Sequence, residues 1–215
     1  MGDLTRLVFV ALGDSLTRGY VPYLSTGPFR HSLPYTDALD NIVIVEQGKK
    51  GYEDIDCVFI NKGVDGDSTK GMLSRLTSEI SKMNPDYVIV WGGINDIFVG
   101  RPPAEVMETL KQIYQKTSEI GAVPIACTLT SVRGASQVVQ RIQELNGSIR
   151  AHSDLEGIML ADLYAATSDM EGRLLSWYSS DGAHLNMEGN RVIAATIYAE
   201  VVEEILDEHA RKGTI

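Results

Sequence analysis

Short apolar runs alternate with segments of helical periodicity along most of this 215-residue chain. Five runs have the length and residue types of buried strands: residues 4–12, 57–60, 87–91, 123–129 and 157–160. Apolar residues at helical spacing extend from Met72 to Met83, from Pro103 to Ile120, from Val138 to Ile149 and from about Met187 to His209. Strands that alternate with helices in this way form a parallel sheet with helices on both faces. The pattern predicts an α/β fold.

Residues 20–51 interrupt this alternation, because they contain three prolines and several glycines between aromatic side chains. We predict a helix that begins near Pro34 and a strand over residues 42–45. The chain shows no internal repeat, low-complexity tract or linker, and 44% of its residues are hydrophobic. A chain of this length buries one sizeable core. The sequence therefore predicts a single domain over residues 1–215.

Composition excludes several classes of partner. The net charge of −10 and a pI near 4.8 argue against nucleic acid and against an anionic membrane surface. No run approaches the roughly 18 apolar residues of a membrane span. Cys57 and Cys127 lie in apolar segments without metal-ligand spacing, which favours buried thiols in a reducing compartment. We predict a cytoplasmic protein, and the sequence leaves its oligomeric state open.

A candidate nucleophile follows the first strand directly, in Gly13-Asp14-Ser15. A tight turn at this point leaves the Ser15 hydroxyl at the carboxyl edge of the sheet, where open α/β folds bind their ligands. Serine attacks a carbonyl only when a base takes its proton and nearby donors stabilise the charge on the substrate oxygen. The rest of the chain must supply those groups.

The candidate base is His184, in a loop before the last helix, with Asp181 three residues earlier. A carboxylate at this spacing can accept a hydrogen bond from one imidazole nitrogen and leave the other facing Ser15. The spacing alone is also common by chance. His31 lies in the irregular segment, and packing or surface roles are expected for His152 and His209.

Candidate oxyanion donors follow the second and third strands. The backbone at Gly66 can approach a ligand closely, and the Asn95 amide can donate two hydrogen bonds. With the Ser15 N–H, they would supply three donors. Taken singly, Gly66 could instead serve a turn, and Asn95 could cap the following helix.

Four blocks together resemble the SGNH/GDSL hydrolases, in that family's order. They are Gly13-Asp14-Ser15-Leu16, Asn61-x-Gly63-x-x-Gly66, Gly92-Gly93-x-Asn95-Asp96 and Asp181-Gly182-x-His184-Leu185-Asn186. The resemblance implies a three-layer α/β/α sandwich with a flavodoxin-like five-stranded sheet. It also implies Ser15 as nucleophile, His184 as base, Asp181 as its orienting acid, and an oxyanion hole formed by Ser15, Gly66 and Asn95. Such enzymes hydrolyse carboxylic esters and thioesters through an acyl-serine, without metal or organic cofactor.

The sequence itself agrees with the expected absence of a cofactor, since it contains no Gly-x-Gly-x-x-Gly, no Walker loop and no Cys/His metal cluster. Thr17 also stands where a Gly-x-Ser-x-Gly elbow requires its second glycine, which argues against an ordinary α/β-hydrolase. We therefore predict a serine esterase that acts on a small-molecule ester.

The substrate pocket is predicted from aromatic and apolar residues near Ser15 and before Asp181: Tyr23, Leu24, Phe29, Leu174, Leu175, Trp177 and Tyr178. They favour an acyl or aryl ester, lysophospholipids and thioesters included. The first alternative is a carbohydrate O-acetylesterase with the same three residues. The second is a non-catalytic ligand-binding module, which has no need for all three. Arg18 could contact an anionic substrate or form a structural ion pair.

Overall fold

A computed structural model describes residues 4–22 and 32–213 of the chain. Within these residues, five strands form one parallel sheet in the order β2-β1-β3-β4-β5. The strands are β1 (Thr5–Gly13), β2 (Ile55–Gly63), β3 (Tyr87–Trp91), β4 (Val123–Cys127) and β5 (Met159–Ala161). The predicted α/β fold with a five-stranded parallel sheet is confirmed.

The α-helices of the described residues follow the strands and flank the sheet. They are α1 (Ser15–Arg18), α2 (Tyr35–Lys50), α3 (Thr69–Ser78), α4 (Ile94–Phe98), α5 (Pro103–Glu119), α6 (Ser136–Glu156), α7 (Leu163–Thr167), α8 (Met187–Ile197) and α9 (Glu203–Gly213). On one side α2 packs against α8, while α3, α5 and α6 pack in succession on the other. No helix of the described residues is long and apolar enough to cross a bilayer.

The ends of β1, β2 and β3 finish level with one another. Gly13, the last residue of β1, pairs with Gly63 on one side and with Trp91 on the other. The strand that leads to Ser15 therefore lies between the strands that lead to Gly66 and Asn95. Because carboxyl ends of parallel strands share one edge, this register brings three of the four sequence blocks together.

The strand predicted over residues 42–45 is wrong, because these residues lie inside α2. The buried positions Tyr35, Leu39 and Val43 recur every four residues, whereas Ile44 and Val45 are exposed. Packing of one helical face thus overrides the strand preference of this β-branched run. The helix does begin beside Pro34, as predicted.

Other boundaries differ by small amounts. The predicted second strand is longer at both ends, because the β1 ladder continues to Gly63. The helix expected up to Met83 ends at Ser78 and is followed by a 3₁₀ turn over Ile80–Met83. The predicted last helix is interrupted by a π-helical turn over Tyr198–Val202, which separates α8 from α9.

Candidate active site

Ser15 is the first residue of α1, immediately beyond the end of β1. Asp14 caps this short helix by accepting a hydrogen bond from the Leu16 amide at 2.9 Å. Gly19 ends it in a left-handed conformation with φ of 80°. The turn leaves Ser15 only 7% exposed. The nucleophile predicted from the sequence therefore lies at the carboxyl edge of the sheet, in a fixed turn.

His184 and Asp181 reach Ser15 from the loop before α8. His184 Nε2 lies 3.2 Å from Ser15 Oγ, and His184 Nδ1 lies 2.8 Å from Asp181 Oδ2. The imidazole thus stands between hydroxyl and carboxylate. In this arrangement an Nδ1–H bound to the carboxylate leaves the Nε2 lone pair for the serine proton.

The same carboxylate organises its own loop. Asp181 Oδ1 accepts hydrogen bonds from the amides of Ala183 and His184 at 2.9 and 2.8 Å. Burial acts to raise the pKa of Asp181, but the hydrogen bonds from the His184 ring and from these amides outweigh it and hold the pKa below its usual value. Asp181 is therefore a carboxylate at neutral pH.

The β4–α6 loop supports the histidine loop from outside. The Arg133 amide donates to the Gly182 carbonyl at 2.8 Å, and the Arg133 guanidinium donates to the Leu174 carbonyl at 3.2 Å. Gly182 has φ of 85°, and a Cβ there would lie 3.1 Å from Arg133 Cβ. Asn186 caps α8 through the Gly189 amide. The loop is thus held at both ends.

Two backbone amides at this edge are available for a ligand. Across the part of the chain that the structure describes, neither the Ser15 N–H nor the Gly66 N–H has a hydrogen-bond partner. Gly66 is exposed and has φ of 72°, a conformation that disfavours a side chain.

Asn95, the third predicted donor, connects the loops that carry the other two. It lies in α4 but does not cap that helix. Its Nδ2 donates to the Asp67 carbonyl at 2.9 Å and to Asp14 Oδ2 at 3.3 Å. Asp67 is adjacent to Gly66, and Asp14 is adjacent to Ser15. The Asn95 side chain therefore contacts the residues adjacent in sequence to Gly66 and Ser15, whose backbone N–H groups are the other two candidate donors.

Arg75, which no sequence pattern predicted, joins these loops through its side chain. Its guanidinium donates to the carbonyls of Gly13 and Lys62 and forms an ion pair with Asp67 at 2.7 Å. One side chain of α3 thus contacts the ends of β1 and β2 and the loop after β2. No spacing in the sequence signals this role, because its partners are mainly backbone carbonyls.

Tyr20 is a second residue that sequence reasoning missed. Its ring packs edge-on against the His184 ring, with centroids 4.8 Å apart. The Tyr20 amide donates to the Ser15 carbonyl at 3.0 Å. This side chain therefore limits the orientations of the imidazole. The other described histidines lie elsewhere: His152 stacks on Tyr114, and His209 contacts the Tyr87 hydroxyl at 3.2 Å.

The predicted pocket residues are only partly placed. Tyr23, Leu24 and Phe29, like His31, lie outside the described residues. Trp177 lies on a 3₁₀ turn over Ser176–Tyr178 and is 62% exposed. Leu174 is fully buried in the hydrophobic core and presents no surface to a ligand, contrary to its prediction as pocket lining.

Arg18 is paired with Asp65, which ties α1 to the loop after β2. Of the two roles considered for it, the structure shows the ion pair. Residues 4–22 and 32–213 contain no group of three or more His, Cys, Asp or Glu side chains placed to hold a metal ion.

A family model of lipases and acylhydrolases matches residues 11–192, which include all five predicted catalytic and oxyanion residues. With the α/β fold, this match defines the protein as a carboxylic ester hydrolase. It belongs to the GDSL-like lipase/acylhydrolase family, as the sequence resemblance implied.

Individual relatives agree with this assignment. The chain is 25% identical over 208 residues to an arylesterase of Vibrio mimicus, covering 91% of this chain and 88% of that protein. It is 28% identical over 137 residues to thioesterase 1/protease 1/lysophospholipase L1 of Escherichia coli, covering 63% of this chain and 62% of that one. Its fold resembles an acetylxylan esterase of Geobacillus stearothermophilus, with a TM-score of 0.71, 19% identity, and 93% and 95% of the two chains covered.

Proposed function

We propose that this protein is a serine esterase in which Ser15, His184 and Asp181 form the catalytic triad. The observation that carries the proposal is the continuous chain of contacts from Ser15 Oγ to His184 Nε2, at 3.2 Å, and from His184 Nδ1 to Asp181 Oδ2, at 2.8 Å. Burial raises the pKa of the Cys57 thiol to about 12, which argues against that cysteine as a competing nucleophile.

In the proposed mechanism, His184 takes the Ser15 proton while Oγ attacks the ester carbonyl. The C–O bond of the leaving group then breaks, and the imidazolium donates that proton to the departing alcohol. Water repeats the sequence on the acyl-serine and releases the acid and free Ser15. Asp181 stabilises the imidazolium in both halves, which its ionised state at neutral pH supports.

The charge that develops on the substrate oxygen requires donors at the same edge of the sheet. We assign this role to the Ser15 and Gly66 amides, which are unoccupied across the described residues, and to the Asn95 side chain. Fixed donors aimed at the developing charge need no reorganisation as the reaction proceeds, so each contributes strongly to the rate.

For the substrate we propose an acyl or aryl ester. The arylesterase and the thioesterase/lysophospholipase among the relatives support this class, and the exposed Trp177 before Asp181 supplies apolar surface. The acetylxylan esterase of similar fold supports the alternative, a carbohydrate O-acetylesterase. A non-catalytic binding module is disfavoured by the complete set Ser15, Asp181 and His184.

The test is hydrolysis of a p-nitrophenyl ester series by wild type, Ser15→Ala and His184→Ala. We expect both variants to lose several powers of ten in kcat, and a fluorophosphonate probe to label wild type but not Ser15→Ala. Ser118→Ala, at an exposed position on α5, is the matched control with unchanged kcat. Turnover by Ser15→Ala at the wild-type rate would exclude the proposed nucleophile.

The same panel separates the two substrate classes. An acyl or aryl esterase prefers medium-chain or aromatic esters over acetylated sugars, because apolar surface contributes to binding each added methylene. Preference for acetylated sugars would favour the alternative.

We also propose a cytoplasmic location. Its support is that Cys57 and Cys127 are both free thiols, which suits a reducing compartment. Cell fractionation with an antibody against the intact chain tests it.

A further inference from the structure

The Asp14 side chain is a buried acid with no ion-pair partner in the described part of the chain. It is 1% exposed. Its carboxyl accepts hydrogen bonds from the Leu16 amide, through Oδ1, and from Asn95 Nδ2, through Oδ2. Burying a carboxyl without a cation lowers the stability of the fold. A role of Asp14 beside Ser15 would offset this cost.

The acidic neighbours of Asp14 are treated differently. Asp67 is paired with Arg75, and Asp96 is paired with Arg101. These are the charged groups that face Asp14 from the loop after β2 and from α4. Their cations compensate two of the three acids and leave Asp14 without a compensating charge. A cap for a four-residue helix does not require a carboxylate, since asparagine or serine serves equally well.

The Asn95 amide shows what the second carboxyl oxygen contributes. Nδ2 carries two N–H groups, of which one goes to the Asp67 carbonyl at 2.9 Å and the other to Asp14 Oδ2 at 3.3 Å. These two acceptors fix the plane of the amide before substrate binds. A substrate oxyanion can receive an N–H from Asn95 only if one of these bonds is given up. The longer bond, to Asp14, is the weaker of the two.

We propose that Asp14 is a positioning residue for ester hydrolysis: its carboxyl holds the Asn95 amide ready beside Ser15 and releases one N–H to the substrate oxygen as the tetrahedral intermediate forms. Because the other carboxyl oxygen binds the Leu16 amide, the same group fixes the start of the nucleophile's helix. A single buried carboxyl therefore aligns nucleophile and donor. This inference rests on the proposed function, in which Asn95 is an oxyanion donor.

A substitution separates the two contacts of this carboxyl. Asp14→Asn keeps its shape and an oxygen for the Leu16 amide, so the helix cap remains. It places an NH₂ group opposite the Asn95 NH₂, and two donors cannot hold each other. Asp14→Ala removes both contacts. If Asp14 served only the helix, Asp14→Asn would leave kcat unchanged.

The experiment is steady-state hydrolysis of a soluble p-nitrophenyl ester by wild type, Asp14→Asn, Asp14→Ala, Asn95→Ala and the double variant Asp14→Asn/Asn95→Ala. We expect Asn95→Ala to lower kcat by roughly 10²–10³, and each Asp14 variant to lower it by roughly tenfold to a hundredfold with little change in KM. The double variant should be no slower than Asn95→Ala, because Asp14→Asn keeps the helix cap and loses only the contact through Asn95.

Asp56→Asn makes the same chemical change at the amino end of β2, whereas Ser15 lies beyond the carboxyl end of β1. This variant should leave kcat unchanged. Wild-type kcat in Asp14→Asn, or losses in the double variant that multiply those of the single variants, would overturn the positioning role alone. Absence of Ser15-dependent hydrolysis in wild type would overturn the proposed function, and this inference with it.

Discussion

Asp181 divides its two carboxylate oxygens between backbone and imidazole. Oδ1 accepts from the amides of Ala183 and His184, while Oδ2 lies 2.8 Å from His184 Nδ1. The backbone contacts determine which oxygen faces the ring, so the carboxylate cannot turn without losing two hydrogen bonds. The spacing of Asp181 and His184 predicted that they would meet, and their contacts agree with that expectation. Their catalytic roles remain predictions.

Asp181→Asn should therefore be severely impaired although it is nearly isosteric. Its oxygen stays on the two amides, so its NH₂ group faces Nδ1 and favours the tautomer protonated at Nε2. That tautomer cannot take the Ser15 proton. We expect kcat to fall by roughly 10³–10⁴ with the melting temperature little changed, measured by ester hydrolysis and thermal unfolding. A loss below tenfold would contradict the role of Asp181.

Asp14 predicts a pH dependence of stability. Burial raises its pKa from 3.8 to about 7, with the charges of Asp67 and Asp96 adding to the effect. Between these values the folded protein binds a proton that the unfolded chain has released. The contribution of Asp14 to the free energy of unfolding is therefore fully present below about pH 4 and is lost as the pH rises through about 7.

Asp14→Asn lacks this titration. The difference in free energy of unfolding between the variant and wild type should shift in favour of the variant by on the order of 4 kcal/mol between about pH 4 and pH 8. Urea unfolding of both proteins across this range measures it. A constant difference would show that the pKa of Asp14 is not raised.

At the scale of elements, the sequence predicted the strands better than the helix interruptions. Strands of a parallel sheet are recognised by continuous apolar runs, because helices bury both faces of the sheet. Residues 87–91 form such a run, and their predicted bounds match β3. The error at residues 42–45 arose because four β-branched residues satisfy a strand pattern equally well. The π-helical turn over Tyr198–Val202 still buries Tyr198, Val201 and Val202, at a spacing that an α-helix also allows. The sequence pattern therefore did not predict it.

The contact between α1 and β2 yields a prediction about glycine. A Cβ at Gly63 would lie 2.1 Å from the Arg18 amide nitrogen and 2.7 Å from the Asp14 carbonyl oxygen. Both are backbone atoms, so Gly63→Ala must displace the turn that carries Ser15. We expect a loss of roughly 1–3 kcal/mol in free energy of unfolding, together with a lower kcat.

Gly147 supplies the matched control. It lies inside α6, with nothing within 4 Å of an added Cβ. Gly147→Ala should stabilise the protein by roughly 0.5–1 kcal/mol, because alanine favours the helix, and should leave kcat unchanged. Urea unfolding and ester hydrolysis measure both variants. Equal effects of the two substitutions would contradict the close approach at Gly63.

At the scale of the whole molecule, net charge affects the approach of a charged substrate. The chain carries a net charge of −10, and Arg18, three residues after Ser15, forms an ion pair with Asp65. An anionic ester is therefore repelled at long range, and salt screens this repulsion. We expect kcat/KM for an anionic ester to rise between low salt and roughly 0.5 M NaCl, while a neutral ester of similar size changes little. A fall for the anionic ester would indicate a cationic site instead.

The level ends of β1, β2 and β3, and the late position of His184 in the chain, have a consequence for synthesis. The last of the five described strands ends at Ala161, and the proposed nucleophile and oxyanion donors precede that point. The proposed base follows more than 20 residues later. A growing polypeptide on the ribosome thus carries the proposed nucleophile early, and we expect it to gain esterase activity only after the loop that carries His184 has emerged.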